Sequence, residues 1–159
     1  MGGYAIKNVL FVCLGNICRS PMAEGIFRDL VEKEGMSHQI SADSAGTSHW
    51  HTGKPPHQGT LDLLRAKGIS TEDLTARQLV REDLESFDYI VGLDRSIMKD
   101  IEKLTRATSN EPEYILLLEL IDSYTTDVPD PYYTGNFDEV YELLYDGCTA
   151  LLNKLKQTI

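Results

Sequence analysis

The sequence predicts an α/β fold, a single doubly wound domain in which helices flank a four-stranded parallel sheet. Short runs rich in β-branched and aromatic residues alternate with longer stretches of helical period, which is typical of a parallel sheet covered by helices. The chain has 159 residues, 42% of them hydrophobic, which suits one ordinary domain with one core. No repeat, linker or low-complexity segment divides the chain, so we expect residues 1–159 to form one domain.

The first half of the chain is expected to hold a strand at residues 8–12, a helix at 21–34, a strand at 39–44 and a helix at 57–67. Ser20-Pro21, a capping residue followed by proline, is typical of a helix start, and Gly35 and Gly68 are typical helix stops. Residues 45–47, Ala-Gly-Thr, are expected to interrupt the second strand.

The second half is expected to hold a strand at residues 87–93, a helix capped by Asp94 or Ser96 that runs to Leu104, a strand at 114–118, a structured loop at 124–135 and a helix at 137–156. In doubly wound sheets, ligands bind outside the carboxyl ends of the strands. The residues that directly follow strands are therefore the first candidates for a functional site.

Charge and cysteine content exclude several classes of protein. Lys and Arg total 15 against 25 Asp and Glu, and the net charge of -10 disfavours nucleic acid and anionic membranes as partners. The three cysteines are an odd number, and the start of the chain lacks a signal-peptide pattern, so we expect reduced thiols and a cytoplasmic location. No apolar run reaches transmembrane length.

The most informative segment is residues 13–20, Cys-Leu-Gly-Asn-Ile-Cys-Arg-Ser, which joins the first strand to the first helix. A cysteine and an arginine lie at its two ends, and the free N–H groups of the helix start face the same loop. Gly15 and Asn16 tolerate the backbone angles that turn N–H groups inward. A buried cysteine after a strand is ordinary by itself, but the combination predicts an anion site that carries a thiol.

Residues 12–21, Val-Cys-Leu-Gly-Asn-Ile-Cys-Arg-Ser-Pro, together with Asp-Pro-Tyr-Tyr at 130–133, resemble the low-molecular-weight protein tyrosine phosphatase family. The similarity extends to residues 43–46, 76–78 and 87–90 and to the terminal helix. The resemblance implies a four-stranded parallel sheet and hydrolysis of tyrosine-phosphorylated proteins without a metal or other cofactor. It implies Cys13 as nucleophile, Arg19 as phosphate clamp and Asp130 as general acid.

The chemistry of residues 13–20, the phosphate loop, fits these implied roles. A planar guanidinium at Arg19 can hold two phosphoryl oxygens, and inward backbone N–H groups can hold the rest, supplied by Leu14, Gly15, Asn16, Ile17, Cys18 and Arg19. Arg19 and the helix start also favour the Cys13 thiolate, which we expect to help the sulfur leave the phosphocysteine intermediate more than it helps the attack. Ser20 is expected to donate a hydrogen bond to that sulfur, as its family counterpart does.

Asp130 lies between Pro129 and Pro131, which restrict the backbone around it. An Asp-Pro pair alone would indicate only a turn. Tyr132 and Tyr133 favour a functional reading, because aromatic side chains beside an acid can form a wall for a flat ring. Trp50, the only tryptophan, is expected to form the opposite wall or to serve as a partial core anchor.

The remaining cysteines and the histidines have plainer interpretations. Cys18 either captures an oxidised Cys13 as a reversible disulfide or fills space behind the loop, and Cys148 is expected to be a buried small hydrophobe. Three histidines have no completing metal ligands at a recognised spacing, so we expect solvated loop side chains and no metal site at His49, His51 and His57.

One position departs from the family pattern. Many members have a histidine two residues before the Ala-Arg-Gln stretch, where it helps to orient the phosphate-loop asparagine, whereas this chain has Leu74. Asn16 is therefore expected to rely on Ser44 or on backbone groups.

Three alternatives share parts of this pattern. Arsenate reductases of similar fold need a further cysteine pair, which this chain lacks, and a phosphoarginine phosphatase prefers a small polar residue in place of Ile17. A phosphocysteine carrier or a non-hydrolytic phosphate-binding module would have no use for Asp130. We expect inorganic phosphate to bind as product and competitor, and the protein to be a monomer or to self-associate weakly.

Overall fold

The computed structural model describes residues 6–105 and 111–159. Its sheet has four strands, all parallel, in the order β2-β1-β3-β4, with bounds β1 Lys7–Cys13, β2 Ile40–Gly46, β3 Tyr89–Gly92 and β4 Glu113–Leu116. The helices are α1 Arg19–Lys33, α2 Gln58–Ala66, α3 Asp83–Ser86, α4 Arg95–Glu102, α5 Pro131–Thr134 and α6 Phe137–Lys156, and a 3₁₀ turn covers Leu117–Leu120. The predicted fold class, a doubly wound α/β sheet with four parallel strands, is confirmed.

Both faces of the sheet are covered because successive side chains of a strand point to opposite sides. On one face, Phe11 packs with the apolar sides of α1 and α6, and its ring meets that of Phe27 edge-on at 5.5 Å. On the other face, Leu10 packs with Ile97 and Ile101 of α4. Among the described residues, no helix is both long and apolar enough to cross a membrane.

Two predicted element boundaries were wrong near the loop that follows β1. The first helix begins at Arg19, with Cys18 as its N-cap. Ser20 therefore lies inside the first turn, and its hydroxyl bonds to side chains of the loop and does not cap the helix. Pro21 lies in the first turn, where its missing N–H has no intrahelical acceptor to lose. The second strand continues through Gly46, which pairs with Cys13.

Gly46 is needed at this point of the sheet. A Cβ atom there would lie 2.6 Å from the carbonyl oxygen of Leu14, so only glycine lets β2 pass this close to the phosphate loop. The close pairing places the loop at the carboxyl end of the two central strands β1 and β3, beside β2. This is the edge of the sheet where ligand sites form.

Smaller differences concern short elements. The third and fourth strands are shorter than expected, and the last residues assigned to the fourth strand form the 3₁₀ turn instead. Helix α3 lies in a segment to which the sequence assigned no element, and α5 lies inside the segment predicted as a structured loop. Four-residue helices carry too few periodic positions to be recognised from sequence.

Candidate active site

The phosphate loop folds around the thiol of Cys13, which is 2% exposed at the end of β1. The backbone N–H of Asn16 donates to Cys13 Sγ at 3.2 Å, and Ser20 Oγ lies 2.9 Å from the same sulfur. Asn16 has a φ of 58°, the left-handed conformation expected for the loop. Gly15 does not take a positive φ, so the left-handed residue of this pair is Asn16.

Asn16 connects the loop to two neighbouring segments. Its Nδ2 donates to Ser20 Oγ at 2.7 Å and to Ser44 Oγ at 2.9 Å, and its Oδ1 accepts from the backbone N–H of Arg77 at 2.9 Å. The amide therefore has both a side-chain partner on β2 and a backbone partner. These bonds orient Asn16, as expected from the presence of Leu74.

A carboxyl group that the sequence did not single out lies behind this network. Ser44 Oγ donates to Glu24 Oε1 at 2.6 Å, and the other oxygen of Glu24 pairs with Arg28 one turn further along α1. Glu24 is only 2% exposed, and this burial raises its pKa to about 7, despite the opposing effects of the Ser44 hydrogen bond and of Arg28. A continuous chain of hydrogen bonds thus runs from Glu24 through Ser44, Asn16 and Ser20 to the Cys13 sulfur.

Arg19 is held at the side of the loop by three oxygen atoms. Its Nη1 lies 2.7 Å from Asp94 Oδ2 and donates to the Val128 carbonyl at 3.0 Å, while its Nη2 is 3.6 Å from Asp130 Oδ2. Burial disfavours the charged guanidinium, but Cys13, Asp94 and Asp130 outweigh that effect and raise the pKa of Arg19. The sequence predicted Asp94 only as a helix cap, and it has both roles, since its Oδ1 accepts from Ile97 N at 2.7 Å.

Asp130 faces the phosphate loop from residues 124–135, the acid loop. Its Oδ1 accepts from the backbone N–H of Tyr132 at 3.1 Å, so that Asp130 caps the short helix α5. The acid loop and the phosphate loop enclose a cavity of about 280 Å³, lined by Cys13, Leu14, Gly15, Asn16, Ile17, Cys18, Arg19, Trp50, His51, Asp130, Tyr132 and Tyr133. Ser20 and Ser44 are buried behind it.

Three aromatic side chains, Trp50, Tyr132 and Tyr133, form what we call the aromatic rim of this cavity. Their exposed fractions are 64%, 54% and 77%, so Trp50 is not a core anchor. The rings of Tyr132 and Tyr133 meet edge-on at 5.3 Å.

The prediction that all three loop histidines are solvated was wrong for two of them. His49 is exposed, but His51 lines the cavity beside Trp50, where its Nδ1 is buried and has no hydrogen-bond partner among the described residues. Its Cδ2 would lie 3.2 Å from a Cβ atom at Gly15, so its ring covers the backbone of the phosphate loop. His57 is half-buried among aromatic rings. The only signal of His51 in the sequence was its position next to Trp50.

All three cysteines are free and buried. Burial is also the main cause that raises the pKa of Cys18 to about 12, with Asp130 and Cys13 adding to it. Cys148 lies in α6, where burial raises its thiol pKa. Within residues 6–105 and 111–159, no three His, Cys, Asp or Glu side chains are grouped so as to hold a metal ion.

A thiol, a guanidinium and a carboxyl group thus surround one cavity at the carboxyl edge of a doubly wound sheet. The guanidinium and the start of α1 can bind an anion, the thiol can attack it, and the carboxyl group can exchange a proton. Fold and site together define an α/β protein whose cavity brings a thiol, a guanidinium and a carboxyl group together.

Comparison with known sequences identifies the family. The family model for low molecular weight phosphotyrosine protein phosphatases matches residues 8–159. YfkJ, a low molecular weight protein-tyrosine-phosphatase of Bacillus subtilis, is 49% identical over 150 residues, which cover 94% of this chain and 96% of YfkJ. PtpA of Staphylococcus epidermidis, a phosphatase of the same description, is 39% identical over 146 residues, or 92% of each chain.

Solved structures agree with the sequence matches. The crystal structure of Bacillus subtilis YfkJ has a TM-score of 0.91 and 48% identity, with 99% of each chain covered. That of a Drosophila arginine phosphatase has a TM-score of 0.85 and 33% identity, and covers 93% of this chain and 97% of that one. This chain belongs to the low molecular weight protein tyrosine phosphatase family and is an enzyme of that class.

Proposed function

We propose that this enzyme hydrolyses phosphotyrosine in proteins or peptides, and simple aryl phosphates, through a phosphocysteine intermediate on Cys13. The observation that carries the proposal is the meeting of Cys13, Arg19 and Asp130 at one cavity, although Asp130 is far from the other two in the sequence. In this mechanism Cys13 forms a bond to phosphorus in the first step, and Asp130 transfers a proton in both steps.

In the first step, the Cys13 thiolate attacks phosphorus, an S–P bond forms and the bond from phosphorus to the tyrosyl oxygen breaks. Asp130 gives its proton to that oxygen, so that the product leaves as neutral tyrosine. Arg19 and the inward N–H groups of the phosphate loop bind the equatorial oxygens, where negative charge must be stabilised.

In the second step, water attacks the phosphocysteine, its proton passes to the Asp130 carboxylate, and the S–P bond breaks to release inorganic phosphate. The leaving group is now the sulfur, and Ser20 Oγ, 2.9 Å away, can donate a hydrogen bond to it. The Asn16 amide at 2.7 Å fixes the Ser20 hydroxyl, which favours this donation.

The cavity favours an aryl ester over phosphoarginine. Ile17 presents an apolar side chain to the cavity, and the aromatic rim suits a flat ring. A relative of known structure is described as an arginine phosphatase, so phosphoarginine is the comparison substrate. We expect a kcat/KM for phosphotyrosine peptides that is larger than that for phosphoarginine.

The deciding experiment is turnover of p-nitrophenyl phosphate by pure, reduced protein with a metal chelator present. We expect hydrolysis by the wild type and a loss of about 10⁴-fold or more in kcat for Cys13→Ser. Cys148→Ser, which also removes a buried thiol, is the matched control and should keep wild-type turnover. No turnover by the wild type would contradict the proposal and favour a phosphate-binding module.

The proposal includes a redox role for Cys18. A Cys13 sulfenic acid would condense with the Cys18 thiol to a disulfide and release water, and external thiols would then restore activity. Because burial raises the pKa of Cys18, we expect slow capture at neutral pH. After a peroxide pulse and thiol treatment, the wild type should recover more activity than Cys18→Ser, and equal recovery would contradict this role.

The proposal also covers the location, oligomeric state and domain organisation of the enzyme. We propose a cytoplasmic enzyme, which acts as a monomer or self-associates weakly, with residues 1–159 as one phosphatase domain. The three free thiols support a reducing compartment. The net charge of -10 argues against nucleic acid or anionic membranes as partners.

A further inference from the structure

His57 contacts both the phosphate loop and the acid loop. Its backbone N–H donates to the Ile17 carbonyl of the phosphate loop at 2.7 Å, and its Nδ1 accepts from the Gly59 N–H at 3.0 Å, which caps α2. Its ring stacks on Phe137, the first residue of α6, with 5.2 Å between centroids. One residue therefore contacts the phosphate loop, α2 and the segment that follows the acid loop.

The same imidazole also contacts the acid loop directly. Its ring meets Tyr132 edge-on at 6.1 Å, and His51 contacts Tyr132 from another position at 6.4 Å. The side chain of Tyr132 is 54% exposed, and these two ring contacts add to its edge-on contact with Tyr133 at 5.3 Å. The backbone N–H of Tyr132 is in turn the hydrogen-bond donor to Asp130 Oδ1.

The packing under His57 is tight. A Cβ atom at Gly59 would lie 2.5 Å from Phe137 Cζ, so the Phe137 ring rests against the bare backbone at the start of α2. The rings of His57 and Phe137 are stacked, with an interplanar angle of 27°. The backbone of Gly59 therefore limits the movement of the Phe137 ring, on which His57 and then Tyr132 pack.

We propose that His57 is a positioning residue for the general acid: its ring sets the place of Tyr132, and Tyr132 sets the direction of the Asp130 carboxyl relative to the phosphate loop. This inference rests on the proposed function, because it assumes that Asp130 protonates the leaving group. A small displacement of a catalytic group is enough to lower the rate of its step.

The helix cap and the ring stack at His57 can be separated by two substitutions. His57→Asn keeps a side-chain oxygen that can accept from the Gly59 N–H but removes the ring. His57→Phe keeps a ring against Phe137 and Tyr132 but removes the cap. The first variant should therefore disturb Asp130, and the second should mainly lower the melting temperature.

The readout is the dependence of kcat/KM on the leaving group, because kcat/KM covers the steps up to leaving-group departure. Tyrosine needs a proton in order to leave, whereas p-nitrophenolate leaves readily without one. Asp130→Asn removes the general acid and gives the largest dependence on the leaving group with which the other variants are compared. We expect its kcat/KM to fall by about 10²-fold or more for phosphotyrosine peptide and by much less for p-nitrophenyl phosphate.

For His57→Asn we expect a loss of about 5- to 20-fold with phosphotyrosine peptide and of less than about 2-fold with p-nitrophenyl phosphate. His57→Phe should keep the wild-type ratio of the two values. Phe137→Leu weakens the stack from its other end and should change the ratio in the same direction as His57→Asn. It replaces His57→Asn as the test if His57→Asn does not fold.

Three results would overturn the inference: an unchanged ratio in a folded His57→Asn protein, an unchanged ratio in Phe137→Leu if His57→Asn does not fold, or an equal change in His57→Phe. These outcomes differ from a failure of the proposed function. If Asp130→Asn itself shows no dependence on the leaving group, the assignment of the general acid fails, and if Cys13→Ser keeps its turnover, the phosphocysteine mechanism fails.

Discussion

The phosphate loop and the acid loop meet at one cavity but are held in different ways. Cys13, Arg19 and Ser20 of the phosphate loop are at most 4% exposed, and side-chain hydrogen bonds reach this loop from β2 and from the start of α4. Tyr132 and Tyr133 of the acid loop are more than half exposed and are held largely by contacts between rings.

The difference follows from what each loop must bind. The phosphoryl group is the same in every substrate, so its site can be fixed before binding, and fixed donors stabilise developing charge without reorganisation. The peptide around the phosphotyrosine varies, and an exposed rim can adapt to it. We therefore expect substitutions in the phosphate loop to act on chemistry for every substrate, and substitutions in the rim to act on substrate binding.

Among the substitutions that test this comparison, Arg19→Lys is expected to have the largest effect. A lysine cannot hold two phosphoryl oxygens in one plane, and it would leave the Asp94 carboxylate and the Val128 carbonyl without their shared partner. We expect kcat/KM to fall by about 10²- to 10³-fold for peptide and aryl substrates alike. Arg95→Lys, which affects an exposed pair with Asp127, is the control and should stay near the wild type. A loss confined to one substrate would contradict the expectation that the phosphate loop acts on chemistry for every substrate.

The next effect in size is expected at Glu24, behind the phosphate loop, and concerns how the free energy of unfolding depends on pH. Its pKa of about 7 in the folded protein is higher than the 4.5 of an ordinary glutamate, so between these pH values the folded state keeps a proton that the unfolded chain releases. The free energy of unfolding therefore falls as pH rises from 4.5 to 7, by about 3 kcal/mol, and changes little above that. Glutamine at this position has no such dependence.

Urea unfolding of the wild type and Glu24→Gln at several pH values measures this difference. The variant should gain stability relative to the wild type as pH rises through the window. Glu32→Gln, at an exposed position of the same helix, corrects for the removal of one negative charge from an acidic chain. If the Glu24→Gln and wild-type curves stay parallel, Glu24 is not buried as a titrating group behind the loop.

The smallest effect is expected for Trp50→Ala on the rim. Loss of one exposed aromatic wall should raise the KM for a phosphotyrosine peptide by about 3- to 10-fold and leave kcat unchanged. Inhibition by inorganic phosphate should not change, since phosphate meets only the buried loop. Tyr145→Ala, an exposed aromatic position on α6, is the control. A weaker affinity for phosphate in Trp50→Ala would show that the two regions are not independent.

The two regions also differed in how well the sequence predicted them. The phosphate loop is one continuous segment between a strand and a helix, so Cys13 and Arg19 could be recognised from local spacing. The prediction gave Ser20 two roles, the cap of the first helix and a hydrogen-bond donor to the Cys13 sulfur. The hydroxyl does lie 2.9 Å from that sulfur, but it does not cap the helix, although a serine before proline has that local preference. Tertiary contacts outweighed the local preference.

The acid loop was predicted from its composition only in outline. Asp130, Tyr132 and Tyr133 were recognised from the resemblance, but the contacts of His51 and His57 with Tyr132 were not. Those histidines are more than 70 residues away in the sequence, and no pattern in a single sequence indicates which loops pack together. Without metal-ligand spacing they looked like ordinary loop residues.

The sequence by itself determined the doubly wound sheet and the thiol and guanidinium of the phosphate loop, because periodicity and local spacing depend on near neighbours along the chain. Only the tertiary structure decided which groups support them: Asp94 on Arg19, Glu24 behind Ser44, and the stack of rings beside Asp130. These contacts arise when distant segments are brought together at the carboxyl edge of the sheet. Burial there then changes the chemistry of side chains such as Glu24, whose pKa no sequence pattern reveals.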